Sequence, residues 1–290
     1  MVEYPPPMPP MNPPAFQPSM PIVDLDVFPP AQQRRWTVLL RAILAIPHLL
    51  VLILVGLASG VVAVLGWFGA LFTGALPIWC ADFLRGTLAY TMRVFGYTYL
   101  LVDEYPPFNF EVDANYPLRV QFPAPTRLNR WAVLFRFFLA LPILILTSWL
   151  STGWMVIAPI FWLILLITGR MPAAVFQATA AVLRSQLRTD AYWAMLTPTY
   201  LSQVFGDGPA PAPGELPPPA ASPTRPLLVS QAAKVLLWII LILGILWSFF
   251  NPAPNYSTNN NPPPPPPPPT PPPPPRTPRP RARAPKPPPP

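Results

Sequence analysis

RWTVLLRAILAIP (35–47) and RWAVLFRFFLALP (130–142) are one segment written twice, 95 positions apart. The same offset matches WFGALFTGALP (67–77) with WLILLITGRMP (162–172). It also aligns Arg93 with Arg188, Tyr97 with Tyr192 and Tyr105 with Tyr200. Two apolar runs can resemble each other through composition alone. Arg, Trp, Pro and Thr-Gly do not then stay in register, without a gap, over about 70 residues, so the chain contains an internal duplication.

The chain has 290 residues, of which 52% are hydrophobic and 10% charged, and its mean hydropathy is +0.37. Soluble domains carry about a quarter charged residues, so this composition points to a membrane protein. The 52 prolines cluster at the two ends. The net charge of +8 is concentrated there too, since Arg276, Arg279, Arg281, Arg283 and Lys286 belong to a tail with no acid after Glu215. No basic run is interleaved with aromatics on a folded segment, which argues against nucleic acid as a partner. One cysteine (Cys80) and one histidine (His48) cannot form a disulfide or the usual zinc ligand sets, so no metal or cofactor is expected. The proline-rich start has no basic region leading into an apolar core and does not read as a signal peptide.

Outward from the repeated segment, residues 36–58 are apolar except for Arg41 and His48. They are long enough to cross a hydrocarbon core of about 30 Å. Ser59-Gly60 reads as a break and 61–80 as the returning arm. DFLRGTLAYTMRVFGYTYLL (82–101) has apolar Leu84, Leu88, Met92, Phe95 and Tyr99 on one face and Arg85 and Arg93 on the other, the pattern of an interfacial helix. FNFEVD and LRVQF alternate around a turn and read as a β-hairpin, with PIVDLDVF (21–28) as a third strand.

The expected fold is therefore mainly α. It has two tandem transmembrane hairpins, each followed by an interfacial amphipathic helix, a small cytoplasmic β-hairpin and one further C-terminal transmembrane helix. The expected divisions are a disordered Pro-rich arm (1–20), a first membrane repeat (21–113), a second (114–207), a Pro/Ala linker (208–226), a fifth transmembrane helix (227–250) and a disordered basic tail (251–290). Arginines flank both hairpins, whereas the tips near Ser59-Gly60 and Ser151-Thr152-Gly153 carry no charge. The positive-inside rule then puts the N-terminus in the cytoplasm and the C-terminal tail outside a bacterial inner membrane.

Three residues stand out as intramembrane polar candidates. Arg41 and Arg136 hold matching positions about 1.5 turns inside the spans, where snorkelling to headgroups or anchoring a lipid phosphate is the expected role, with a polar cavity between repeats as the sharper one. His48 lies about 18 Å past Trp36, near mid-bilayer, and is expected to bond a carbonyl freed by Pro47; a proton relay is the sharper reading. The acids Asp103, Glu104, Glu111 and Asp113 read as a solvated loop. No phosphate loop, Ser-His-Asp arrangement or metalloprotease motif is present, so no catalytic residue is expected and the protein reads as not an enzyme.

At RWTVLLRAILAIPHLL, LFTGALP, FLRG…RVFGY and DEYPPF the chain resembles a bacterial membrane family, domain of unknown function 4389. Its members show an Arg-Trp start, an Ile-Pro-His-Leu segment, a Leu-Phe-Thr-Gly turn and a Tyr-Pro-Pro-Phe motif. The resemblance covers roughly residues 20–205, as two copies, and implies a membrane protein without implying an activity. The second copy departs from it: Ile143 stands for His48, and PTYLSQVF for DEYPPFNF.

Together these features predict a non-enzymatic membrane scaffold or envelope-associated platform. Its partners would be membrane lipids, a protein or anionic envelope polymer met by the basic tail, and a second copy in a homo-oligomer. The alternative is a small transporter or channel between two parallel repeats, which requires Arg41, His48 and Arg136 to share a path.

Overall fold

The computed structural model describes residues 22–111, 115–201, 203–209 and 222–251. The Pro-rich arm, most of the Pro/Ala linker and the basic tail lie outside the described residues, as does Asp113. The described residues form one compact unit.

The chain is mainly helical. Strand β1 (Asp24–Val27) is followed by α1 (Arg35–Thr73), α2 (Ile78–Thr98), β2 (Leu118–Gln121), α3 (Arg130–Leu134), α4 (Arg136–Thr168) and α5 (Ala173–Trp193). Two-residue strands β3 (Gly208–Pro209) and β4 (Leu228–Val229) then lead to α6 (Gln231–Phe250). Three of these, α1, α4 and α6, are long and apolar enough to cross a membrane.

The expected break at Ser59-Gly60 does not occur: α1 runs through it as one helix of 39 residues. A mid-helix glycine costs only about 1 kcal/mol, which the surrounding apolar helix absorbs. Ser59 Oγ also donates to Thr87 Oγ1 at 3.1 Å. The chain reverses instead at the repeated Thr-Gly. Gly74 (φ 75°) and Gly169 (φ 70°) adopt the left-handed conformation that ends a helix, and Pro77 and Pro172 precede the next one. The returning arm of each hairpin is thus α2 or α5, the segment expected to lie apart as an interfacial helix.

The expected β-hairpin does not form either. Residues 108–111 are not a strand, and β1 pairs directly with β2 in antiparallel register. Phe108 and Phe110 are used as aromatic cover, stacked on His48 and set edge-on to Tyr90. The outer edge of β1 is bonded by Thr224, whose hydroxyl donates to Leu25 O at 2.6 Å and accepts from Val27 N at 2.9 Å.

The two repeats are related by a pseudo-two-fold axis. In the ribbon, Leu25 pairs with Val120, its own counterpart 95 residues on, so the axis passes through that pair. The helices obey the same operation. Trp67 Nε1 donates to Val133 O at 2.9 Å, and Trp162 Nε1 donates to Val38 O at 2.8 Å. Leu128 N donates to Gly74 O and Gln33 N to Gly169 O, each at 2.9 Å. In every pair, donor and acceptor in one repeat are exchanged for their counterparts in the other, as in an isologous dimer interface. The start of α1 therefore meets the end of α4, and the end of α1 meets α3, which leads into α4, so that these helices run antiparallel and perpendicular to the axis.

Along the axis the molecule is layered. The ribbon buries Leu25, Val27, Leu118 and Val120 against α2 and α5. Those two helices form the centre, with 13 of the 21 residues of α2 buried. Beyond them, α1 and α4 present apolar side chains outward, such as Leu54 at 68% and Leu57 at 68% exposure. Helix α6 has no repeat counterpart and packs on α4 where Gly153 approaches Ile240 and Gly244 approaches Trp149.

Candidate functional site: buried basic side chains and a buried carboxyl group

Each of the three residues singled out from the sequence is buried, and each meets different partners. Arg41 does not snorkel. It is 3% exposed, and its Nη2 donates to Asp103 Oδ1 at 3.0 Å while Nη1 donates to Tyr97 O at 3.2 Å. The guanidinium also lies over the Tyr97 ring, 4.5 Å from its centroid. Asp103, expected in a solvated loop, is instead a largely buried counter-ion that also accepts from Thr37 Oγ1 at 2.6 Å. Burying a guanidinium demands such a partner, and the sequence placed the two 62 positions apart.

Arg136 is the repeat counterpart of Arg41 and keeps half of that environment. It lies over Tyr192, the counterpart of Tyr97, at 4.1 Å, and its Nη2 donates to Thr197 O at 2.5 Å. Pro198 stands where Asp103 would be. Among the described residues, no carboxylate lies within ion-pair distance of Arg136.

His48 does not bond a freed carbonyl. Its Nδ1 shares a hydrogen bond of 2.7 Å with Tyr90 Oη. The ring stacks on Phe108 with centroids 4.0 Å apart and tilts against Tyr105 at 4.7 Å. The Tyr-Pro-Pro-Phe segment thus closes an aromatic box over the histidine. In the second repeat that loop differs, and Ile143 fills the position by simple apolar packing with Ala140 and Tyr192.

The three do not converge. Arg41 lines a cavity of about 470 Å³, Arg136 lines its pseudo-symmetric counterpart of about 580 Å³, and His48 lines neither. Among the described residues, no group of acids, histidines and cysteines could hold a metal ion.

Sequence reading missed Asp190 on α5. It has Phe95 as its repeat counterpart, so the duplication carried no signal for it. Asp190 lies deep in the molecule, yet its side chain stays partly accessible through a cavity of about 310 Å³ that Ser59, Thr87 and Thr91 also line. No hydrogen bond or ion pair of its carboxyl is present among the described residues. The neighbouring hydroxyl protons are already committed: Ser59 donates to Thr87 Oγ1, Thr87 to Leu84 O and Thr91 to Thr87 O. They offer the cavity lone pairs only, which suit a protonated carboxyl and repel a carboxylate. Burial accordingly pushes Asp190 up to about 7.

On its opposite face α5 carries an ionic cluster. Arg184 Nη1 pairs with Asp207 Oδ2 at 2.6 Å and Arg188 Nη2 with Asp24 Oδ1 at 3.4 Å. Burial raises the Asp24 carboxyl, while Arg184 and Arg188 pull it down. These pairs tie the centre of the molecule to β1 and to the segment before α6.

The layered pseudo-dimer and its apolar outer helices define a class: a duplicated helical protein with three helices long and apolar enough to cross a membrane. The chain belongs to the family described as domain of unknown function (DUF4389), whose pattern it matches twice, over residues 35–109 and 130–200. No curated protein and no solved structure matches the chain.

Proposed function

We propose that this protein is a non-enzymatic membrane scaffold embedded from one side of the membrane, with the ribbon in water and α1, α4 and α6 among the acyl chains. The observation that carries the reading is the position of the ribbon on the pseudo-two-fold axis. Were α1 and α4 to cross the bilayer as inverted repeats, that axis would lie in the membrane plane. The ribbon, with Asp24, Asp26 and Arg119, would then sit at mid-depth, where each charge costs several kcal/mol. With the axis along the membrane normal, the ribbon is solvated, α2 and α5 lie at the boundary, and both ends of α1 and α4 stay on one side. A helix layer about 10 Å thick fits within one leaflet of a core about 30 Å thick. At 1.5 Å per residue α1 is about 58 Å long, roughly twice what a straight crossing needs.

The arginines flanking both repeats favour the cytoplasmic face. Helix α6 runs antiparallel along α4, so its end returns to the side of its start. The basic tail then shares the cytoplasm with the N-terminus, in place of the external position expected from five crossings, and meets anionic lipid or a protein partner there. Among the described residues Arg41, His48 and Arg136 line no common cavity, which favours the scaffold over a channel.

Cysteines at positions 60, 152 and 258, in a chain with Cys80→Ser, test the placement. The expected result is no labelling of 60 or 152 by an impermeant maleimide from either side, and labelling of 258 from the cytoplasm only. Labelling of 60 and 152 from outside would refute it. The scaffold role is tested by deleting 252–290: the chain should stay in the membrane and lose its co-purifying partners, and an unchanged partner set would count against the role.

A further inference from the structure

The two cavities beside α1 and α4 are the same cavity built twice. The duplication carries Arg41 to Arg136, Leu100 to Met195 and, from the other repeat, Trp162 to Trp67. They differ in how the arginine is neutralised. At Arg41 the chain supplies Asp103, whose carboxylate accepts from Nη2 at 3.0 Å. At Arg136 that position is Pro198, and the cavity is larger, about 580 Å³ against about 470 Å³.

Arg136 is 5% exposed, and its Nε–H has no acceptor among the described residues. A guanidinium has five N–H donors, and a buried one without a counter-ion is strongly unfavourable. The rest of the wall is apolar, including Val64, Leu134 and Phe137. A small inorganic anion would leave that wall unfilled, and a neutral lipid would leave the charge unpaired. The volume lies within the range of ordinary ligand cavities.

We propose that the Arg136 cavity binds one anionic amphiphile, an acyl chain ending in a carboxylate or phosphate whose oxygens supply, from the cavity side, the counter-charge that Asp103 supplies at Arg41. A planar guanidinium accepts either head in two-point fashion. The acyl chain enters from the leaflet that bathes α1 and α4, so the route of entry, though not the cavity, rests on the membrane placement above.

The test is displacement of cis-parinarate from the full chain in phosphatidylcholine nanodiscs. Octanoate or octyl phosphate should displace it, the better competitor identifying the head, whereas octanol at the same concentration should not. Arg136→Gln should weaken parinarate binding by about tenfold or more, the scale of one charge-assisted contact. Pro198→Asp should do the same while keeping the arginine, by restoring the internal counter-ion of the first repeat. Arg41→Gln should leave the affinity unchanged. Equal competition by octanol, or undiminished binding in both Arg136→Gln and Pro198→Asp, would overturn the assignment. Because displacement reads occupancy of the cavity and not the depth of α1 and α4, a negative result is separable from a failure of the maleimide mapping.

Discussion

Adding a single methyl group at the α4–α6 contact should loosen α6. A Cβ built on Gly153 would lie 1.7 Å from Ile240 O, and one on Gly244 would lie 1.8 Å from Trp149 O. Ordinary contact begins near 3.4 Å, so Gly153→Ala must part the helices by roughly 1.5 Å. A gap of 0.5–1 Å already forfeits about a quarter to a half of each dispersion contact. The affected side chains include Leu237 and Ile240, both fully buried. Overpacking of this kind costs about 1–3 kcal/mol, which for a chain of this size lowers Tm by roughly 2–10 °C. The stronger expectation concerns the double variant. The Cβ on Gly153 would also meet Gly244 N at 2.8 Å, so both substitutions act on one contact. Once the first has separated the helices, the second fits at little cost, and Gly153→Ala with Gly244→Ala should be far from additive. Thermal unfolding of the four chains in one detergent measures this. A Tm unchanged in both single variants, or two full losses that simply add, would refute close packing as the bond between α6 and the repeats.

Three further outcomes follow from particular side chains. Asp190 holds a proton in the folded state up to about pH 7, whereas its ordinary value is 3.8, so folding stability should fall as pH rises through that window by an amount of order a few kcal/mol. Asp190→Asn should remove that slope, and pH-dependent unfolding that is identical in the two chains would exclude an unpaired carboxyl. Trp67→Phe and Trp162→Phe each delete one of two symmetry-related hydrogen bonds and should cost similar amounts, about 1 kcal/mol each. A large effect from one and none from the other would break the pseudo-two-fold. Asp103→Asn leaves the Arg41 guanidinium buried beside a neutral amide and should destabilise by about 3 kcal/mol or more, read by denaturant unfolding, while Glu111→Gln at an exposed position should be silent.

Much of the architecture was legible because it is repeated. Register between RWTVLLRAILAIP and RWAVLFRFFLALP required no knowledge of structure, and the apolar runs named the helices that face outward. The turn was legible too, in the Thr-Gly of LFTGALP and LLITGRMP, but Ser59-Gly60 competed with it. Local propensity could not decide between them, since a glycine ends a helix only where the chain must turn left-handed. The two arginines of α2 pointed to the membrane boundary when read on one helix. What that reading could not show is that Arg93 donates to the Asn109 side chain at 2.5 Å and that the helix packs in the centre of the molecule.

The sequence by itself determined the duplication, the helical class, the apolar outer surface and the choice of Arg41, Arg136 and His48 as polar residues set within apolar helices. These depend on residue type and spacing along the chain, which survive without tertiary information. Only the tertiary structure decided that the repeats embrace about an axis through Leu25 and Val120, that Asp103 neutralises Arg41, and that Asp190 and Arg136 have no counter-ion among the described residues. An ion pair between positions 41 and 103 has no local signature, because its strength comes from burial that dozens of distant residues create together. The difference between the two arginines is therefore invisible in their matching segments, and it appears only where Pro198 occupies the position of a carboxylate.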